Sequence, residues 1–177
     1  MKKIMMTLAA ALIAVSASAQ FYVGGGVGIG TAKVKVGGYS ESATTYKFVP
    51  EVGYNFDENW AAGVAFGWEG MTKGGPKTIE VNPYARYTFF RSDLVNVFVD
   101  GGVGYAHSYN NETDIDDFYV GLRPGVAVNL NKKLSFVTHV GFFGYAHEKD
   151  NNTEVKSNAW SADLDGRNIT FGLYYNF

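Results

Sequence analysis

Three imidazoles, His107, His139 and His147, stand in a chain with no cysteine. Any nucleophile would therefore be a hydroxyl, and any metal site would rest on imidazole and carboxylate. Hydroxyl catalysis needs the base within hydrogen-bond reach of the nucleophile. Ser135 precedes His139 by four residues, which on a strand puts both on one face but roughly 10 Å or more apart. That is too far for direct proton transfer. His107 and His147 each close a Gly-Tyr-Ala-His run, so they mark a repeat rather than a catalytic pair. Asp114, Asp116 and Asp117 form an acidic cluster without the ligand spacing of a calcium loop, and read as a solvated loop. The glycine run at 24–30 opens a strand with no helix behind it, unlike a dinucleotide cradle. The residues thus point to a protein that is not an enzyme, with no cofactor and no metal.

The remaining charges matter through where the backbone puts them. Of 177 residues, 22 are Gly, 13 Phe, 12 Tyr and 3 Trp. Fifteen Lys and Arg against 17 Asp and Glu leave no basic footprint for nucleic acid. Residues 1–19 read as a cleaved signal peptide: Lys2-Lys3, an apolar run from Ile4 to Val15, and small residues at Ala17 and Ala19 before Gln20. Residues 20–177 form one domain. Within it Pro50–Phe56, Pro83–Phe89, Pro124–Leu130 and Phe171–Phe177 end in a common apolar-polar-apolar pattern, and four glycine-rich stretches lie between them. Four copies of a two-strand unit make eight strands, placed at about 20–33, 45–56, 60–69, 78–90, 95–107, 118–130, 133–147 and 167–177. Tight joints at 57–59, 91–94 and 131–132 alternate with polar loops near 34–44, 70–77, 108–117 and 148–166.

Alternation decides what each face meets. Ile169, Phe171, Leu173, Tyr175 and Phe177 oppose Asn168, Thr170, Gly172, Tyr174 and Asn176, and Val120, Leu122, Val126 and Val128 oppose Gly121, Arg123, Gly125 and Ala127. The minority face is crowded with glycine, which suits a lumen. The apolar face ends in aromatics, with Phe56, Trp60, Tyr87, Phe89, Tyr175 and Phe177 at the short-turn end and Trp68 and Tyr105 at the other. Such belts sit at lipid headgroups. The mean hydropathy of −0.09 averages these two faces. A sheet in hydrocarbon must close on itself, because an open edge leaves backbone groups without partners. The fold class is all-β, an eight-stranded antiparallel up-and-down transmembrane β-barrel. On this register Lys47, Glu51, Glu69, Glu80, Arg86, Asp100, Arg123 and His139 point inward. They form a lumen charge network that fills the barrel; the alternative is a narrow ion or water path. Pro50, Pro83 and Pro124 lack the ladder donor, and their equal offset points to a recurrent bulge.

On these residues the chain resembles the small eight-stranded outer-membrane barrels of Gram-negative bacteria, the OmpA/OmpX type or outer membrane protein beta-barrel domain. The most specific match is Thr170, Gly172, Tyr175 and Phe177, similar to the C-terminal insertion signal read by the barrel assembly machinery. The resemblance implies a monomer in the cell outer membrane, in contact with its lipids and lipopolysaccharide. It implies a structural, adhesive or surface-interaction role, with a low-conductance porin-like channel as the alternative. An extracellular partner would meet the loops at 108–117 and 148–166.

Overall fold

The computed structural model describes residues 20–36, 39–72, 75–111, 114–163 and 170–177, with the side chains of 30–43 and 163 outside that description. The expected leader at 1–19 also lies outside the described residues. Ten strand segments appear in chain order: β1 (Phe21–Val36), β2 (Tyr39–Asn55), β3 (Trp60–Met71), β4 (Lys77–Arg91), β5 (Val95–Tyr109), β6 (Asp114–Asn129), β7 (Leu134–His139), β8 (Phe142–Asp150), β9 (Lys156–Asp163) and β10 (Thr170–Asn176). β7 with β8 forms the seventh wall strand, and β9 with β10 the eighth. Each wall strand pairs antiparallel with its sequence neighbour, and β10 returns to β1, with Tyr22 opposite Asn176 and Val27 opposite Phe171. The sheet closes as an eight-stranded barrel.

Short polar side chains make the tight turns. Asp57 Oδ1 accepts the backbone N–H groups of Asn59 and Trp60 at 2.7 and 2.8 Å. Asn131 Oδ1 does the same for Lys133 and Leu134 at 2.8 and 2.9 Å, and Ser92 Oγ accepts from Val95 at 2.9 Å. These side chains stand in for backbone acceptors and set the chain reversal. The two bonds to Asp57 also hold its carboxyl below the usual range.

At the other end the strands run further than their composition suggests. The region 108–117 is the tip of the β5–β6 hairpin, with Tyr109 paired to Asp114. Of the expected loop at 148–166, residues 148–163 form a hairpin: β8 reaches Asp150, a turn occupies Asn151–Thr153, and β9 runs from Lys156 to Asp163, while 164–166 lie outside the described residues. Above the membrane both faces of a hairpin meet water, so the apolar-polar contrast that reveals a strand is lost. Of the 34–44 joint, β1 and β2 continue to Val36 and from Tyr39.

Two further expectations change. The strand at 133–147 breaks at Val140-Gly141. Gly125 faces His139 and Leu122 faces Phe143, three steps on β6 against four on its partner. The inserted residue sits beside Gly141, whose φ of 77° suits glycine. Inward positions thus pass from odd (Ser135, Val137, His139) to even (Phe142, Gly144, Ala146), which brings the Phe142 ring inside against Tyr119. The prolines are not a recurrent bulge. The β2–β3 ladder skips Val49 and Pro50 and the β4–β5 ladder skips Asn82 and Pro83, each resuming in the same register. Only Pro124 lies opposite a bulge, where its carbonyl accepts the Val140 N–H at 3.0 Å.

The packed interior is the lumen, and the wall's outer face is apolar. Trp60, Phe66, Trp68, Phe118, Val120, Leu122, Phe171 and Leu173 are all exposed on the outside. Trp60 and Trp68 stand eight residues apart on β3. That is about 27 Å along a strand, or about 20 Å of height at the tilt of such barrels.

Candidate functional site

Among the described residues, the inward charges of the sequence reading stand on strands and separate into two tiers. The tier nearer the short turns is built on Arg86 of β4. Its Nε and Nη2 donate to Asp100 Oδ1 and Oδ2 at 2.7 and 2.8 Å, a bidentate pair across the Arg86–Asp100 register position. Glu51 lies 4.0 Å from the same guanidinium. His139 Nε2 meets Asp100 Oδ2 at 2.8 Å.

Four rings enclose that guanidinium: Phe98 with its centroid at 3.9 Å, Tyr84 and Tyr174 at 5.3 Å, and Tyr22 at 5.7 Å. Tyr84 Oη donates to Glu51 Oε2 at 2.8 Å, Tyr174 Oη donates to the same oxygen, and the Tyr22 and Tyr84 hydroxyls meet at 2.7 Å. Phe98 and Asp100 are 1% exposed. A buried ion pair persists only when its remaining polar groups are satisfied, and the tyrosines satisfy them here. Glycine makes the room: a Cβ on Gly125 would collide with the Phe98 ring, and one on Gly53 with Tyr22.

The outer tier is looser. Lys47 Nζ reaches Glu80 Oε2 at 2.9 Å, and Tyr119 Oη donates to Glu80 Oε1. Asn82 Nδ2 donates to Tyr119 Oη at 3.0 Å, and Arg123 Nη2 donates to Asn82 Oδ1 at 3.1 Å. Arg123 thus meets an amide, and Glu69, opposite Lys47 in register, makes no ion pair among the described residues. Above this tier opens a cavity of about 640 Å³, walled by Lys47, Glu69, Glu80, Asp117, Tyr119 and Arg123 with the hydroxyls of Thr45, Thr78, Ser108 and Ser161. Its floor includes His139 and Phe142. The lumen is therefore a plug below and a vestibule above.

The structure brings Glu51, Arg86, Asp100 and His139 into one cluster and Lys47, Glu80 and Arg123 into a second. Tyr22, Tyr84, Phe98, Asn82, Tyr119 and Tyr174 complete both, and were not singled out from the sequence. Their signal was available: each shares its strand's inward parity, and glycines stand opposite Tyr22, Tyr84, Tyr119 and Tyr174, at Gly53, Gly63, Gly104 and Gly24.

The acidic cluster at 114–117 divides between faces. Asp117 turns inward to the vestibule. Asp114 and Asp116 turn outward, where their carboxylates and the His107 imidazole lie within 4.8 Å of one another. His107 Nδ1 meets Asp116 Oδ1 at 2.9 Å, Tyr105 Oη donates to that oxygen at 2.6 Å, and Asn151 Nδ2 donates to Asp116 Oδ2 at 2.7 Å and Asp114 Oδ1 at 2.9 Å. The bonds from Asn151, Tyr105 and His107 hold the Asp116 carboxyl down to about 2.

Thr170, Gly172 and Tyr174 face the lumen on β10, and Phe171, Leu173 and Tyr175 face out. Tyr175 packs edge-on against Phe177 at 5.1 Å.

The sequence pattern of the family described as outer membrane protein beta-barrel domain matches residues 5–177. No curated relative matches the chain. Among solved structures, it is similar to the neisserial surface protein A at 14% identity, with a TM-score of 0.57 over 90% of this chain and 98% of that one. It is also similar to the outer membrane protein OprG of Pseudomonas aeruginosa at 14% identity, with a TM-score of 0.54 over 89% and 95%. At that identity the likeness is one of fold.

Proposed function

The chain belongs to the outer membrane protein beta-barrel domain family, and from that premise we propose that it is a monomeric wall protein of the outer membrane, plugged through its inner half, that acts through its outer hairpins. The leader at 1–19 exports it, the short turns stay in the periplasm, and the hairpins reach outside the cell. Thr170, Gly172, Tyr175 and Phe177 are the segment that the assembly machinery reads. The outer face meets membrane lipid and lipopolysaccharide, and the β5–β6 and β8–β9 hairpin tips meet any external partner. Its role is structural, adhesive or recognitive rather than catalytic. The name of its neisserial structural neighbour, a surface protein, is in keeping with such a role.

The observation that carries this reading is the Arg86 tier. A guanidinium held bidentately by Asp100 and ringed by Tyr22, Tyr84, Phe98 and Tyr174 packs side chains into the lumen where a water column would have to pass. The test has two parts. The mature protein should refold into lipid vesicles and migrate differently on an SDS gel before and after boiling. In planar bilayers it should give no regular conductance steps. Stable steps from folded protein would overturn the plug and restore the channel reading.

A further inference from the structure

The two Gly-Tyr-Ala-His runs occupy equivalent outward positions yet face opposite chemistry. On β5 the Tyr105 hydroxyl and His107 Nδ1 converge on a carboxylate oxygen of Asp116. On β8 the Tyr145 hydroxyl and His147 Nδ1 converge on the Asn158 amide oxygen of β9, at 2.9 and 2.6 Å. The second arrangement leaves the Asn158 NH₂ group pointing away as a donor.

Two register positions further out, on the same face, Lys149 and Lys156 stand directly opposite each other, both exposed. Like charges in that relation repel. Neither makes an ion pair with a described carboxylate, Glu154 included. The register partner of Lys149 on β6 is Asp116, but both Asp116 oxygens are already engaged by Tyr105, His107 and Asn151. Among the described residues, the outer face of this hairpin therefore presents two ammonium groups and an amide donor that no carboxylate receives.

Below it lies an apolar groove of about 510 Å³ on the lipid-facing wall, lined by Val81, Val103, Phe118, Val120 and Tyr145, with His147 at its rim. Tyr145 packs on Trp160 at 5.5 Å, and Trp160 is 77% exposed. Tyrosine and tryptophan in such a pair mark the headgroup boundary. The lysine pair stands four residues beyond Tyr145, about 13 Å along the strand, and long lysine stems bring the charge back toward that boundary.

We propose that this face holds a phosphorylated lipid of the outer leaflet, its phosphate between Lys149, Lys156 and the Asn158 amide and an acyl chain in the groove beneath. The proposal rests on the outer-membrane reading above and names the residues that select the lipid. An anionic headgroup removes the lysine repulsion, and the groove shares its rim with the donor cluster. That union of phosphate donors and acyl groove distinguishes a lipid from free phosphate.

The test is native mass spectrometry of the refolded mature protein in detergent with a diphosphorylated lipid A, its dephosphorylated form, or inorganic phosphate. The wild type should retain one diphosphorylated lipid about tenfold more strongly than the dephosphorylated form, and inorganic phosphate should not displace it. Lys149→Gln with Lys156→Gln should abolish the tenfold preference, whereas Lys133→Gln at the opposite rim should keep it. Val103→Trp, which fills the groove, should weaken retention of both lipids. Equal retention of the two lipids by the wild type, an unchanged preference in the double variant, or displacement by inorganic phosphate would overturn the site. The heat-dependent gel shift of the same samples keeps the two readings apart. Folded protein without lipid preference refutes only the lipid site, and protein that fails to insert into vesicles refutes the outer-membrane reading beneath it.

Discussion

The inner and outer halves of the lumen are lined by residues of one closed wall, yet one is packed and the other holds a cavity of about 640 Å³. Toward the short turns, large rings from Tyr22, Tyr84, Phe98 and Tyr174 close on Arg86, and Asp100 and Glu51 neutralise it. Toward the hairpins, Gly28, Thr45, Thr78, Ala106, Ser108, Ala146 and Ser161 stand among the charged inward residues, and these are too short to meet across the barrel. Barrel diameter follows from strand number and is the same in both halves. Side-chain volume alone decides which half is a plug. A charge in the inner half must be fully paired, whereas Glu69 and Arg123 in the outer half have water nearby and tolerate incomplete pairing.

The largest expected effect follows from removing the cation of the plug. Arg86→Met leaves Asp100 and Glu51 buried without their partner and should cost about 3–5 kcal/mol, read by urea unfolding in lipid vesicles. A loss below about 1 kcal/mol would mean that the inner half is hydrated like the outer.

Packing gives the next contrast. Gly125→Ala drives a methyl into Phe98 and should cost about 1–3 kcal/mol. Gly28→Ala meets only Lys47 Cβ, at 3.5 Å, and should stay within about 0.5 kcal/mol. Equal costs in the same unfolding assay would erase the distinction between the halves. Glu80→Gln removes a pair whose lysine is 33% exposed, so screening keeps the loss at about 1 kcal/mol or less.

Accessibility offers a comparison without an energy scale. Because the chain has no cysteine, Ser108→Cys and Ser135→Cys each introduce a single thiol. A charged thiol reagent added to intact vesicles should modify the vestibule position and spare the packed one, as mass spectrometry would record.

The smallest expected effect lies outside the lumen, at Asp116. Its carboxyl is held down to about 2 in the folded protein, against 3.8 for the free group. A depressed pKa stabilises the fold above the unfolded value, and that contribution disappears as pH falls through the folded one. The β5–β6 hairpin should therefore loosen between about pH 4 and pH 2, and Asp116→Asn should remove the dependence. Carboxyl carbon chemical shifts followed by NMR through that range would detect it.

Much of this was legible before folding. In β6 and β10 one face alternates Val and Leu or Phe against Gly, Arg and Thr, so the inward and outward sets follow from period two. That contrast exists only where the two faces meet different media. At 148–163 both faces of the hairpin meet water, the alternation vanishes, and β9 passes for a loop. At Gly141 a single inserted residue reverses the parity, so extending the period from β7 would turn Phe142 outward. Pro50 and Pro83 mislead for a third reason: a missing donor interrupts one ladder without adding a residue, and register survives.

The sequence by itself determined the number of wall strands, the medium each face meets and the inward side of charges within the alternating runs, though not of Asp117, which it read as part of a loop. These depend on local periodicity and on the transfer free energy of side chains, which each residue carries with it. Only the tertiary structure decided that Arg86 pairs with Asp100 while Arg123 meets Asn82, and that the rings of β1, β4, β5 and β10 converge to seal one half of the lumen. Those outcomes depend on how eight strands are staggered around a closed ring. Closure brings Tyr22 beside Tyr174 across more than 150 residues of chain, a distance that no local pattern spans.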